Sequence, residues 1–127
     1  MDYVGLKEMI ANMGFTIVGE DPKEELVVIE DEERGIKNMI VDCEGELLII
    51  EQPIGKFPER YFRWFLEKNR YLPFGAFVLD SESGTILFRN TLRLDTLDQE
   101  EFESTIHSLE MFLAEYGNEL IKMSKEE

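Results

Sequence analysis

The sequence predicts a single α+β domain over residues 1–127, in which helices pack on an antiparallel sheet. Helical periodicity occurs at the start, in the middle and at the end of the chain, and short β-rich runs bounded by turn residues fill the intervals. The chain has 127 residues, 43% of them hydrophobic, which is enough to bury one core. The predicted order is α-β-β-β(-β)-α-β-β-α, without the regular alternation of a doubly wound nucleotide-binding fold.

The first part of the chain is predicted to form a helix and then strands. Apolar residues at helical spacing predict a helix over residues 2–13, and Gly14 follows as its stop. These apolar residues are Tyr3, Leu6, Ile10 and Met13. Turn residues then separate predicted strands near residues 15–19, 25–31, 36–43 and 46–52. The segment 47–50 is apolar on both sides of the pleat, which predicts a central strand covered on both faces.

Two helices and a hairpin are predicted for the remainder. Pro58 and Pro73 bracket a second helix over about residues 58–70. Strands at 74–80 and 85–92 are joined by a turn ending in Gly84, which predicts an antiparallel hairpin. Asp98, with Glu101 three residues later, predicts the start of a long third helix that ends near residue 123. Its apolar seam consists of Phe102, Ile106, Leu109, Leu113, Tyr116 and Leu120.

The charge of the chain disfavours two classes of partner. Thirteen Lys and Arg against 28 Asp and Glu give a formal net charge of −15, which repels nucleic acid and anionic membranes. No apolar run approaches the roughly 20 residues that cross a bilayer. The start of the chain lacks a secretory pattern, and Cys43 alone cannot form an intramolecular disulfide. We therefore expect a cytoplasmic protein that binds neither nucleic acid nor membrane.

The second predicted helix carries an unusually wide apolar surface. Its apolar residues cover an arc of roughly 200°, whereas packing on one sheet needs a stripe of about 100° or somewhat more. These residues are Tyr61, Phe62, Trp64, Phe65 and Leu66. Tyr and Trp are enriched at interface hot spots, so this helix is predicted to form a homodimer or client interface. The alternative is that the final helix or the 53–57 loop covers the excess within one chain.

No catalytic residue, metal site or cofactor is predicted. The usual phosphate-binding, hydrolase and zinc-protease motifs are absent from the sequence. His107 falls off the apolar seam of the third helix and is predicted to face solvent. Cys43 is predicted to be a half-buried structural thiol, because neighbouring carboxylates disfavour its thiolate. The segment 80–84 departs from a calcium loop in the position of its glycine and lacks the required glutamate, so a hairpin turn is predicted.

Four stretches of the second half of the chain carry a family resemblance. They are the segment from Phe74 to Asp80, the turn at Ser83-Gly84, the stretch Asn90-Thr91-Leu92-Arg93-Leu94 and the helix opening at Asp98. Together they resemble the YbjN family of small bacterial proteins. That family is similar in fold to the type III secretion chaperones. The resemblance implies a non-enzymatic, often dimeric, protein-binding or regulatory role, with a client polypeptide as partner. Two other hypotheses remain at this point, namely a small carboxylate- or metal-dependent enzyme and a structural subunit of a larger assembly.

Overall fold

The computed structural model describes residues 1–126 and has the predicted order of elements. The helices are α1 (Tyr3–Asn12), α2 (Phe62–Lys68) and α3 (Gln99–Ser124). The strands are β1 (Thr16–Asp21), β2 (Leu26–Asp31), β3 (Ile36–Glu44), β4 (Leu47–Lys56), β5 (Ala76–Asp80) and β6 (Thr85–Arg93). The α+β class is confirmed.

The six strands form one antiparallel sheet in the order β1-β2-β3-β4-β6-β5. Side chains along each strand alternate between buried and partly exposed, as in β2 and β6. The buried positions of adjacent strands, such as Val27, Val41 and Ile50, share one register row and therefore one face. We call this the inner face, because the three helices contribute their buried side chains to the same core. The opposite, outer face has no fully buried side chain on β2, β3 or β4.

Both long helices begin at an aspartate cap, and the cap at Asp98 is the predicted one. Asp2 accepts a hydrogen bond from the Gly5 amide at 2.8 Å, and Asp98 accepts one from the Glu101 amide at 2.8 Å. The α3 helix crosses the inner face, where Thr105 accepts a hydrogen bond from the Asn90 side chain at 2.8 Å. Its seam residues are buried or half-buried, as expected.

The second helix is less regular than predicted. Residues 59–61 and 69–71 form 3-10 turns, so only the seven residues of α2 are α-helical within the helical stretch 59–71. The fifth strand begins at Ala76 rather than at residue 74, because Gly75 adopts a φ of +80°, which lies outside the extended region of a strand.

The prediction for residues 47–50 is half right. The β4 strand lies mid-sheet, between β3 and β6, as expected. The prediction that both its faces are covered is wrong, because Leu47 is 41% exposed and Ile49 is half-buried on the outer face. All three helices pack on the inner face, so nothing within residues 1–126 covers the other side of this strand.

The end of β4 continues four residues beyond the prediction and separates from β3. Pairing between these strands runs from Glu44↔Leu47 to Ile40↔Glu51, whereas β4 stays paired with β6 as far as Lys56. At the point of separation the Gln52 side chain is buried and bridges the gap. Its Nε2 donates to the Lys37 carbonyl at 2.6 Å, and its Oε1 accepts from the Lys37 amide at 3.1 Å. The amide side chain thus replaces the missing strand-to-strand hydrogen bonds.

Candidate protein-binding surfaces

The structure divides the predicted interface residues of the second helix among three environments. Phe65 is buried in the core, where its ring lies 4.8 Å from the ring of Phe57 and 5.3 Å from that of Phe77. Tyr61, Phe62 and Trp64 are half-buried against the core, and Leu66 is 69% exposed. The five residues therefore do not form one exposed patch.

Trp64 is covered in large part by α3, as the intrachain alternative expects. Its ring centroid lies 5.9 Å from that of Phe112 and 5.7 Å from that of Tyr116, both nearly perpendicular to it. The Lys68 ammonium lies 5.4 Å from the Trp64 ring and 4.5 Å from the Tyr116 ring. These contacts join α2 to α3 within one chain. Phe57, which directly follows β4 at the end of the segment 53–57, covers Phe65 in the same way.

An exposed apolar surface remains at the end of this helical stretch. Leu66 and Tyr71, which is 67% exposed, line a common surface depression together with Glu67 and Arg70. We call Leu66 and Tyr71 the helix-two surface. Tyr71 lies beyond the predicted end of the helix, and sequence periodicity gave no reason to include it.

The outer face of the sheet is a second apolar surface, formed by residues that the sequence did not single out. Aliphatic side chains from three adjacent strands lie side by side on it, and each is half-buried or exposed. They are Leu26 and Val28 of β2, Ile40 of β3, and Leu47 and Ile49 of β4. The available signal was the two-sided apolar pattern of residues 47–50, which we interpreted as burial on both faces.

Asp42 lies among these aliphatic side chains. It stands opposite Leu26 on one neighbouring strand and opposite Ile49 on the other. Its Oδ1 is shut off from solvent and accepts no hydrogen bond from residues 1–126. Burial raises the pKa of Asp42 to about 6, and a hydrogen bond with Glu44 and the charges of Glu44, Glu24 and Glu51 add to this increase.

A cleft of about 470 Å³ opens where β3 and β4 separate. Its wall is formed mainly by apolar side chains of β4 and α3, among them Ile54, Leu113 and Leu120. Gly117 of α3 contributes space, since a Cβ built there would have no atom within 4 Å. The cleft is large enough to accept an apolar side chain of another molecule.

The candidate chemical groups are poorly suited to catalysis. Cys43 is buried, and burial together with the nearby charges of Glu25 and Asp42 raises the pKa of its thiol to about 11. His107 is exposed, as predicted, with its Nδ1 3.5 Å from Glu110. Residues 80–84 form a hairpin turn in which Asp80 accepts hydrogen bonds from Glu82 and Ser83. Residues 1–126 include no cluster of His, Cys, Asp and Glu arranged to hold a metal ion, and no helix with the length and apolar character to cross a membrane.

Three solved structures are similar to this chain over nearly its whole length. YbjN from E. coli has a TM-score of 0.68 at 9% identity, covering 94% of this chain and 93% of its own. The HopA1–SchA chaperone–effector complex contains a chain with a TM-score of 0.67 at 12% identity, covering 90% and 92%. The type III secretion chaperone SycH from Yersinia pestis, solved with a fragment of YscM2, has a TM-score of 0.57 at 16% identity, covering 97% and 100%. At these identities the similarity establishes the fold.

Sequence comparison adds the family. No curated protein sequence matches the chain. The CesT_Tir_1 family model matches residues 2–126, which is nearly the whole chain. The resemblance to YbjN and to type III secretion chaperones is thus confirmed for fold and family, and the chain belongs to the CesT_Tir_1 family.

Proposed function

We propose that this protein is a cytoplasmic, non-enzymatic, single-domain module that binds other polypeptides in a chaperone-like manner. The observation that carries the proposal is the outer face of the sheet, whose aliphatic side chains are left uncovered by all three helices. Apolar side chains that lie side by side and stay partly exposed mark interaction sites in soluble proteins. The chaperone–effector complex and the SycH complex, which have the same fold, support a client polypeptide as the partner.

We also propose that the protein is a homodimer that associates through the helix-two surface. Leu66 and Tyr71 are large side chains that lie next to each other and are mostly exposed to water. Burying their apolar surface against a second copy would lower the free energy of the protein. Trp64 is a poorer test residue than the sequence suggested, because its contacts with Phe112 and Tyr116 also stabilise the single chain. A charge introduced at Leu66 disturbs only the exposed side.

Light scattering over micromolar concentrations tests the dimer. We expect the mass of a dimer for the wild type and the mass of a monomer for Leu66→Glu. The variant should still show a cooperative thermal unfolding transition, which means that its monomer is folded. Val4→Glu is the matched control, because Val4 is 59% exposed on α1 and is not part of the helix-two surface. A monomer mass for the wild type, or a dimer mass for Leu66→Glu, would contradict the proposal.

Client binding is tested by affinity capture from a lysate of the source cells, with identification by mass spectrometry and titration of the recovered polypeptide against salt. Burial contributes about 25 cal/mol for each Å² removed from water, and this contribution is insensitive to screening. We therefore expect binding to persist in high salt, with the carboxylates Glu44 and Glu51 of the outer face adding some preference for basic segments. Loss of affinity between low and physiological salt would identify charge as the main driving force.

A further inference from the structure

We propose that the outer sheet face binds an extended polypeptide segment through one basic side chain, an arginine or lysine, which pairs with Asp42 while flanking aliphatic side chains pack on Leu26, Ile40 and Ile49. The inference rests on the proposed client-binding function and specifies the chemistry of the client. It concerns the surface around Asp42, which we call the Asp42 face.

The carboxylate of Asp42 lies in an aliphatic environment. Asp42 has an aliphatic residue opposite it on each neighbouring strand, and Ile40 two residues before it on the same face of β3. Its Oδ1 has neither solvent nor a hydrogen-bond donor within residues 1–126. The side chain as a whole is only partly buried, so a donor from a partner can reach the exposed part of the carboxylate. A cationic donor fits best, because it also neutralises the charge.

Acidic side chains dominate the surroundings of Asp42 on this face. Glu44 follows Asp42 at the next position facing outward, and its charge raises the pKa of Asp42. The arginines on the same face are already engaged, since Arg89 pairs with Glu51 at 3.0 Å and Arg93 pairs with Asp95 at 2.6 Å. The surroundings of Asp42 therefore have a negative potential that attracts a basic group.

The surface also selects the form of the partner. Side chains of an extended segment point alternately to opposite sides, so every second residue of the segment faces the sheet. Asp42 lies between aliphatic side chains of the sheet. The matching segment of the partner therefore has a basic residue with aliphatic residues two positions before and two positions after it. A second copy of this protein is a poor occupant of the face, because two such faces would bring Asp42, Glu44 and Glu51 against their own counterparts.

The test uses two synthetic peptides and the isotopically labelled full chain. The first peptide is Ser-Val-Ser-Val-Ser-Arg-Ser-Val-Ser-Val-Ser, and the second has Gln in place of Arg. Amide chemical shifts are followed during titration. We expect shifts on β2, β3 and β4 and about tenfold tighter binding of the Arg peptide, as a charge-assisted hydrogen bond provides. In Asp42→Asn, which keeps the shape of the side chain, the two peptides should bind equally.

Glu115→Gln is the control, because it makes the same change in net charge at an exposed position of α3. It should keep the preference for the Arg peptide. Equal binding of the two peptides to the wild type, a preference that survives in Asp42→Asn, or the absence of binding would overturn the inference. Recovery of a client whose binding ignores Asp42→Asn would overturn the inference and leave the proposed function intact. Binding of the Arg peptide through Asp42 without any recoverable client would support the inference and count against the proposed function.

Discussion

The environment of Asp42 changes the pKa of its carboxyl group, and this change makes the stability of the protein depend on pH. Its pKa is about 6 in the folded protein against 3.8 ordinarily, first because of burial and then because of Glu44 and neighbouring carboxylates. Between about pH 4 and pH 6, folding therefore takes up a proton. The contribution of such a group to the free energy of unfolding decreases as the pH rises. Asp42 therefore destabilises the folded protein most above pH 6.

We predict that Asp42→Asn is more stable than the wild type at pH 7.5, by about 1 kcal/mol after allowance for solvent screening. The advantage should shrink on going to pH 4, where the wild-type carboxyl is protonated in the folded state. Urea unfolding of both proteins at the two pH values measures the difference, and effects of other groups cancel in the comparison. An advantage that is the same at both pH values would show that Asp42 titrates normally.

Gly75 combines a left-handed backbone with close packing. Its φ is +80°, and a Cβ added there would lie 2.6 Å from Cζ of Phe88 and 3.0 Å from the Arg89 carbonyl oxygen. Gly45 has a similar φ of +62° but no atom within 4 Å of an added Cβ. Substitution at Gly45 therefore carries the backbone cost alone, whereas substitution at Gly75 also displaces a core ring.

We expect Gly75→Ala to lower the free energy of unfolding by about 3 kcal/mol and Gly45→Ala by about 1 kcal/mol. Denaturant unfolding of the two variants under the same conditions measures the difference. Equal losses would mean that Phe88 moves aside without cost.

At the level of the strands, Gln52 holds β3 close to β4 after their pairing has ended. Its side chain satisfies both backbone groups of Lys37 and is itself buried. A methionine of similar size would leave these groups without partners, so Gln52→Met should cost about 2 kcal/mol. Leu48→Met, a volume-conserving change at a buried position of the same strand, should cost less.

Chemical unfolding of both variants measures these costs, and amide hydrogen exchange adds a local measurement. Exchange at the Lys37 amide should accelerate in Gln52→Met and remain slow in Leu48→Met. Unchanged exchange at Lys37 would show that the side chain of Gln52 is dispensable for the contact between the strands.

Across the whole molecule, a formal charge of −15 makes the folded state repel itself. Some carboxylates are compensated, as where Arg34 binds Glu103 and Glu110 at 2.6 and 3.1 Å, but acidic residues outnumber basic ones two to one. We predict that raising NaCl from about 10 to 150 mM increases the Tm by roughly 3 °C, because the Debye length falls from about 30 to 8 Å. Calorimetry measures the shift. A decrease in Tm would mean that favourable ion pairs outweigh the repulsion.

The sequence by itself determined the order of elements, most of their bounds and the cap at Asp98. These features follow from interactions between residues close in the chain, such as helical periodicity, capping and turn chemistry. The position of His107 on α3 could be predicted for the same reason. The net charge of the chain follows from its composition alone.

The tertiary structure decided which apolar surfaces are covered. The sequence could not show that α3 packs against Trp64 while Leu66 stays exposed, because both residues lie on the same wide apolar arc. Nor could it show that all three helices pack on one face of the sheet, which leaves Asp42 and its aliphatic neighbours open on the other. An apolar residue has the same local pattern whether its partner belongs to its own chain or to another molecule. Burial depends on contacts between residues distant in sequence, and periodicity carries no information about which element supplies them.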